Sequence, residues 1–146
     1  MKQMYFSFGL LLGLLASLPT IAEPIEDQPM KIRMQLNGQV VLATLYDNPA
    51  ARDFAAQLPL SLTLENYAVI ERIADLPGRL STIDAPAGMT PVPGDITYYA
   101  PWGNLAIFIA PRAYAQSLLP LGRVDSGLEA LKRNGPLRVT IEPAQD

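Results

Sequence analysis

Fourteen prolines are spread along the 146 residues, and they rule out a helical bundle. Proline lacks an N–H and clashes with the preceding helical turn, so it is confined to helix starts, strand edges and turns. A chain punctuated in this way builds many short elements joined by rigid turns. The stretches between the prolines carry strand patterns. Met30, Ile32, Met34 and Leu36 alternate with Lys31, Arg33 and Gln35, the period of two of a strand with one wet face. Asn37-Gly38 is a strong hairpin signal, because both residues tolerate the left-handed backbone of a tight turn. Gln39–Tyr46 then returns as a second strand.

Asp47-Asn48-Pro49 opens a helix, a polar cap followed by proline at the first helical position. Ala50–Leu58 continues it, with Phe54 and Leu58 on one face, and Pro59 stops it. Leu60, Leu62 and Leu64 alternate with Ser61 and Thr63 as another strand. Tyr67–Ala74 is an apolar segment interrupted by Glu71 and Arg72, and strand is one reading of it. Asp75–Thr90 carries Pro77-Gly78, Pro86 and Gly88 and reads as a long surface loop.

Pro93–Ile109 is the most informative stretch. Ile96–Ala100 is β-branched and aromatic, Pro101–Asn104 is turn chemistry, and Leu105–Ala110 is apolar, so it reads as strand, turn, strand. The only tryptophan, Trp102, sits on the turn beside Tyr98, Tyr99 and Asn104. Pro111–Pro120 reads as a connection with helical turns and Leu121–Val124 as a short strand. Ser126–Arg133 reads as a short helix capped by Asp125-Ser126 and ended by Asn134-Gly135. Leu137, Val139 and Ile141 alternate as the last strand. Many short strands and two short helices suggest a closed antiparallel barrel or a sandwich, with the helices plugging the open ends.

Composition narrows the chemistry. The chain has no cysteine and no histidine, which removes disulfides, transition-metal sites and every nucleophile that relies on a histidine base. No cofactor and no metal is expected. The formal charge is −3 with mixed signs and no basic run, which disfavours nucleic acid and anionic membrane as partners. Lys2, the apolar run Phe6–Leu18, Pro19 and the small residues at Thr20 and Ala22 read as an export signal over 1–22, cleaved after Ala22. The run is shorter than the roughly 20 residues that cross a bilayer. The expected mature protein is periplasmic or secreted, with a lead-in over 23–29, a domain over 30–143 and no membrane attachment after cleavage. Its oligomeric state is not legible in the sequence.

The order of elements resembles cyclophilin. Val41–Phe54 (VLATLYDNPAARDF) is similar to the cyclophilin opening, in which a strand runs through an aromatic residue to a proline and a helix. Gly103–Phe108 resembles its glycine-serine-glutamine-phenylalanine-phenylalanine-isoleucine strand, and Leu121–Leu128 the stretch that enters its last helix. The match is closer to the small bacterial cyclophilin-like family. That family shares Gly-Asp-Ile-x-Tyr-Tyr-x-Pro-Trp-Gly-Asn-x-Ala-Ile-Phe, present here as Gly94–Phe108, with Leu45–Pro49 and Leu58–Leu62 as further matches. The resemblance implies a mainly β fold, a cyclophilin-like closed antiparallel eight-stranded barrel capped by two short α-helices.

The resemblance does not bring the isomerase machinery with it. Cyclophilins use an arginine, a phenylalanine, a glutamine in Gln-Gly-Gly-Asp, a tryptophan and a histidine. This chain has neither the histidine nor that motif, and Leu105 and Ile107 stand where a glutamine and a phenylalanine face the groove. Tyr114 falls near the groove tryptophan and Leu118 near the histidine, while Arg72 or Arg79 is a candidate for the arginine. No residue is assigned a catalytic role. The binding candidates are Trp102, Asn104, Tyr99, Leu105, Ile107, Tyr114 and Arg72. The leading expectation is a non-catalytic module that binds a peptide or small molecule beside Trp102. The alternatives are a periplasmic prolyl isomerase with an altered site and a small-molecule enzyme using Glu71, Arg72 or Asp95 with the tyrosines.

Overall fold

The structure is a computed structural model that describes residue 9, residues 13–19 and residues 29–145. The expected export signal, its cleavage point after Ala22 and most of the 23–29 lead-in lie outside the described residues. Among the described residues, no helix is long and apolar enough to cross a membrane.

Strands β1 (Met30–Leu36) and β2 (Gln39–Leu45) pair in full register across the Asn37-Gly38 turn, where φ is 42° and 78°. Ile32, Met34 and Leu36 turn inward, as their alternation requires. Asn48 then caps helix α1 (Pro49–Ala56), its side-chain oxygen accepting from the Ala51 N–H at 2.7 Å. Ala50, Ala51 and Phe54 are the buried face of that helix. Strands β3 (Leu60–Tyr67) and β4 (Glu71–Asp75) follow, then the two-residue β5 (Gly88–Met89). After these come β6 (Asp95–Tyr99), β7 (Asn104–Phe108), the two-residue β8 (Ala115–Gln116), β9 (Leu118–Ser126) and β10 (Leu137–Pro143).

Eight of these strands close into one antiparallel barrel in the order β1-β10-β3-β4-β7-β6-β9-β2. Closure leaves the barrel without a free edge. Strands β5 and β8 form a separate small sheet. The interior is filled by alternating side chains from every barrel strand, including Met34, Ala43, Leu64, Ile96, Tyr98, Leu105, Ile107, Leu121 and Ile141. Helix α1 and the loop after β4 close one mouth. Leu80 of that loop is buried, and its N–H donates to the Tyr98 hydroxyl at 3.3 Å.

The second expected α-helix is a 3₁₀ helix, Leu128–Lys132. The position before it is Gly127, at φ 87° and with no side-chain cap bond. Asp125 does not cap it. Its carboxylate instead accepts from the Thr44 hydroxyl at 2.6 Å and faces Lys31 at 3.5 Å. Five residues between two glycine turns are too few for a stable i→i+4 ladder, whose nucleation is unfavourable, so the tighter form wins. The barrel is thus plugged by one α-helix and one 3₁₀ turn. The connection expected to hold helical turns, Pro111–Pro120, instead supplies β8 and the start of β9.

Candidate functional site

Strand β7 is buried at all five positions, although strands of an antiparallel barrel usually keep one wet face. The reason is a second apolar cluster on the outer face of the sheet, made by Ala106, Phe108, Ala115 and Leu118, with Ile73, Met89 and Tyr99 packed on it. The small β5–β8 sheet, which supplies Met89 and Ala115, is part of this outer layer. The region where the barrel wall carries a second layer is the candidate site.

Register fixes what this face presents. Asp75, Asn104 and Tyr99 are neighbours across β4, β7 and β6. One row on, Glu65, Ile73, Ala106 and Thr97 align. Beyond them lie Tyr67, Glu71 and Phe108. Thr97 is fully buried, and its hydroxyl donates to the Ala106 carbonyl at 2.7 Å. Glu71 is buried beside Phe108 and faces Arg112 at 3.5 Å. Burial pushes the Glu71 carboxyl above its ordinary range, and the Arg112 charge offsets part of that shift.

Trp102 stands on the β6–β7 turn with 56% of its surface exposed. Its indole meets the Tyr99 ring at 5.3 Å and the Tyr67 ring at 5.8 Å, both edge to face at 83°. Contact with a tyrosine from the first row and another from the third places the indole over the outer face of β4 and β7. Such edge-to-face contacts fix ring orientation and contribute about 0.5–1.5 kcal/mol each. Asn104, next to Tyr99, is 2% exposed, and its side-chain oxygen has no hydrogen-bond partner. An orphan of this kind in a buried side chain calls for a specific explanation.

The structure brings Trp102, Tyr99 and Asn104 together at this face. Tyr114 lies on its flank. A Cβ added at Gly88 of β5 would come within 2.7 Å of the Tyr114 hydroxyl, so that ring covers the glycine. Leu105 and Ile107 point into the barrel and are inaccessible from the outer face. Arg72 also points inward and is 1% exposed. Its Nε donates to the Leu131 carbonyl at 2.9 Å and its Nη1 to the Gly135 carbonyl at 2.8 Å. These carbonyls end the 3₁₀ helix, so Arg72 ties β4 to the plug. Burial lowers its pKa and the Glu65 charge raises it. Arg79 is exposed and reaches the Ala100 carbonyl at 3.4 Å. Asp95 accepts from the Val92 N–H and pairs with Arg123 at 2.6 Å.

Sequence reading did not single out Tyr67, Phe108 or Arg112. Tyr67 sat at the edge of an ambiguous segment. Phe108 was hidden because a run that is apolar on both faces carries no alternation to tell inside from outside. Two clefts lie elsewhere, against α1. One of about 130 Å³ is bounded by Met30, Leu45, Tyr46 and Arg52, and one of about 40 Å³ by Asn48, Ile83 and Leu119.

Together, the closed eight-stranded barrel, its plugged mouths and the covered patch on its outer wall define a barrel protein of the cyclophilin type. A family profile for the cyclophilin-like family matches residues 34–142, and the chain belongs to that family. A solved structure of the same fold is the solution structure of a hypothetical protein from Archaeoglobus fulgidus. It has a TM-score of 0.59 and 18% identity, over 82% of this chain and 100% of that one. No curated protein matches the chain.

Proposed function

We propose that this is an exported, non-catalytic binding module that holds a peptide segment or a small molecule against the outer face of β4, β7 and β6. The observation that carries the reading is Trp102, a large apolar ring left 56% exposed yet braced by two tyrosines. Exposed aromatic rings held in fixed orientation lose little entropy on binding and offer a large contact area. Arg72 supports the non-catalytic part. Twisting a prolyl amide, with a barrier of about 18–20 kcal/mol, needs a donor aimed at the amide from outside. Arg72 is instead committed to two interior carbonyls. Glu71, Arg72 and Asp95 have separate partners on separate faces, which speaks against an acid–base site built from them.

The test uses the single tryptophan as its own reporter. Titration with a panel of short peptides should shift or quench Trp102 emission, and Trp102→Ala should abolish binding measured by calorimetry while leaving the unfolding midpoint within a few degrees. A proline-peptide isomerisation assay should return the uncatalysed rate, and a rate above it would overturn the non-catalytic reading. For export, protein recovered from the periplasm or medium should begin at Glu23.

A further inference from the structure

The outer-face patch is built almost wholly from hydrogen-bond acceptors. Glu65 and Asp75 flank it on β3 and β4, both exposed and neither with an ion-pair partner among the described residues. Glu71 adds a third carboxylate, shared with Arg112. The side-chain oxygen of Asn104 is buried and unpartnered. Trp102, Tyr67 and Tyr99 add the negative faces of three rings. The nearby guanidinium groups are engaged, Arg112 with Glu71 and Arg79 with the Ala100 carbonyl. The chain as a whole carries −3.

Unpaired carboxylates, an orphan amide oxygen and aromatic faces share one complement, a cation that carries N–H donors. We infer that the patch recognises the primary ammonium or guanidinium group of a lysine or arginine side chain in a peptide. This rests on the binding reading above and names the chemistry of its ligand. The cation lies over the Trp102 ring, Glu65 and Asp75 supply opposite charge, and one N–H reaches the Asn104 oxygen. Asn104 is covered, so the rings beside it must part for that last bond, and Trp102 registers the movement. A quaternary ammonium would satisfy the rings but leave the Asn104 oxygen unpaired.

The experiment titrates the protein with N-acetylated peptide amides of equal length centred on lysine, arginine, trimethyl-lysine, leucine or glutamate, following Trp102 emission. Butylamine and ethylguanidine serve as free cations. Lysine and arginine peptides should bind at least about tenfold more tightly than the glutamate peptide, and less tightly as salt rises. Asp75→Asn and Glu65→Gln should each weaken them by about two- to fivefold, the range of exposed charge pairs. Trimethyl-lysine should bind more weakly than lysine. Asn104→Leu separates the roles: it should raise the unfolding midpoint by removing an unpaired polar atom, yet weaken lysine-peptide binding.

If the free amines bind as tightly as the peptides, the peptide source is overturned. Equal binding of lysine, leucine and glutamate peptides, without salt dependence, would overturn the cation inference and leave the binding module standing. Silence across the whole panel would overturn the binding module itself. A destabilised Asn104→Leu protein would remove Asn104 from the proposal.

Discussion

Two hairpins of this barrel turn through the same backbone with opposite chemistry. Asn37 and Gly38 adopt φ of 42° and 78° between β1 and β2, while Ala68 and Val69 adopt 51° and 60° between β3 and β4. The first pair suits a left-handed turn and the second does not, because a Cβ crowds the following carbonyl oxygen in that region, by about 1–2 kcal/mol per residue. Valine is branched at that carbon, which makes it a genuine outlier there. Transplanting the first turn onto the second, Ala68→Asn with Val69→Gly, should therefore stabilise the fold. Glycine recovers about 1–2 kcal/mol of strain and returns about 0.5–1 kcal/mol through the greater freedom of the unfolded chain. Val69 is 74% exposed, so losing its side chain sacrifices only about 0.5 kcal/mol of burial. Asparagine at position 68 relieves about another 1 kcal/mol. The net gain is about 1 kcal/mol, or a midpoint about 3–5 °C higher for a domain of this size. Thermal and urea unfolding measure it. The reciprocal change, Asn37→Ala with Gly38→Val, is the control, since nothing lies within 4 Å of a Cβ at Gly38 and any loss there is conformational. An unchanged or lower midpoint for the first double variant would refute the strain argument.

Other changes test other parts of the molecule. Arg72→Met removes the donors to the Leu131 and Gly135 carbonyls and should cost about 2–4 kcal/mol in denaturant unfolding; a loss below about 0.5 kcal/mol would show that Arg72 does not tie β4 to the plug. Gly122→Ala places a methyl against the Thr44 carbonyl and 2.9 Å from the Leu45 Cα, where β2 and β9 cross, and should cost upwards of about 2 kcal/mol or prevent folding in an expression trial. Glu71 has a folded pKa raised above its ordinary 4.5, so the folded state binds its proton more tightly than the unfolded state does. Its contribution to stability is full below pH 4.5 and lost as pH rises through the raised value. Glu71→Gln should flatten that part of the stability–pH curve, and an unaltered slope would mean that Glu71 titrates normally.

Where one face of a strand is wet, the pattern on the page is the pattern in space. Met30–Leu36, Leu60–Leu64 and Leu137–Ile141 alternate in sequence, and their apolar positions point inward. The Asn48-Pro49 cap and the Asn37-Gly38 turn are local signals, and local forces decide them. Three features were not legible for physical reasons. The 3₁₀ helix departs from the expected α-helix because chain length between two turns, not side-chain spacing, sets its form. Arg72 looked available for an outer groove because a lone arginine in an apolar segment does not reveal which carbonyls it will satisfy. The orientation of Leu105 against Ala106 was hidden because both faces of β7 are covered.

That double cover has a dynamic consequence. A strand flanked by two partners, with packing above and below, opens only when the whole domain does, so the amides of Asn104–Phe108 should be among the slowest to exchange with deuterium. Whatever settles on the outer wall therefore rests on the least yielding part of the molecule. The wall selects its guests by shape and charge as it stands, and only the turn bearing Trp102 is left to adjust.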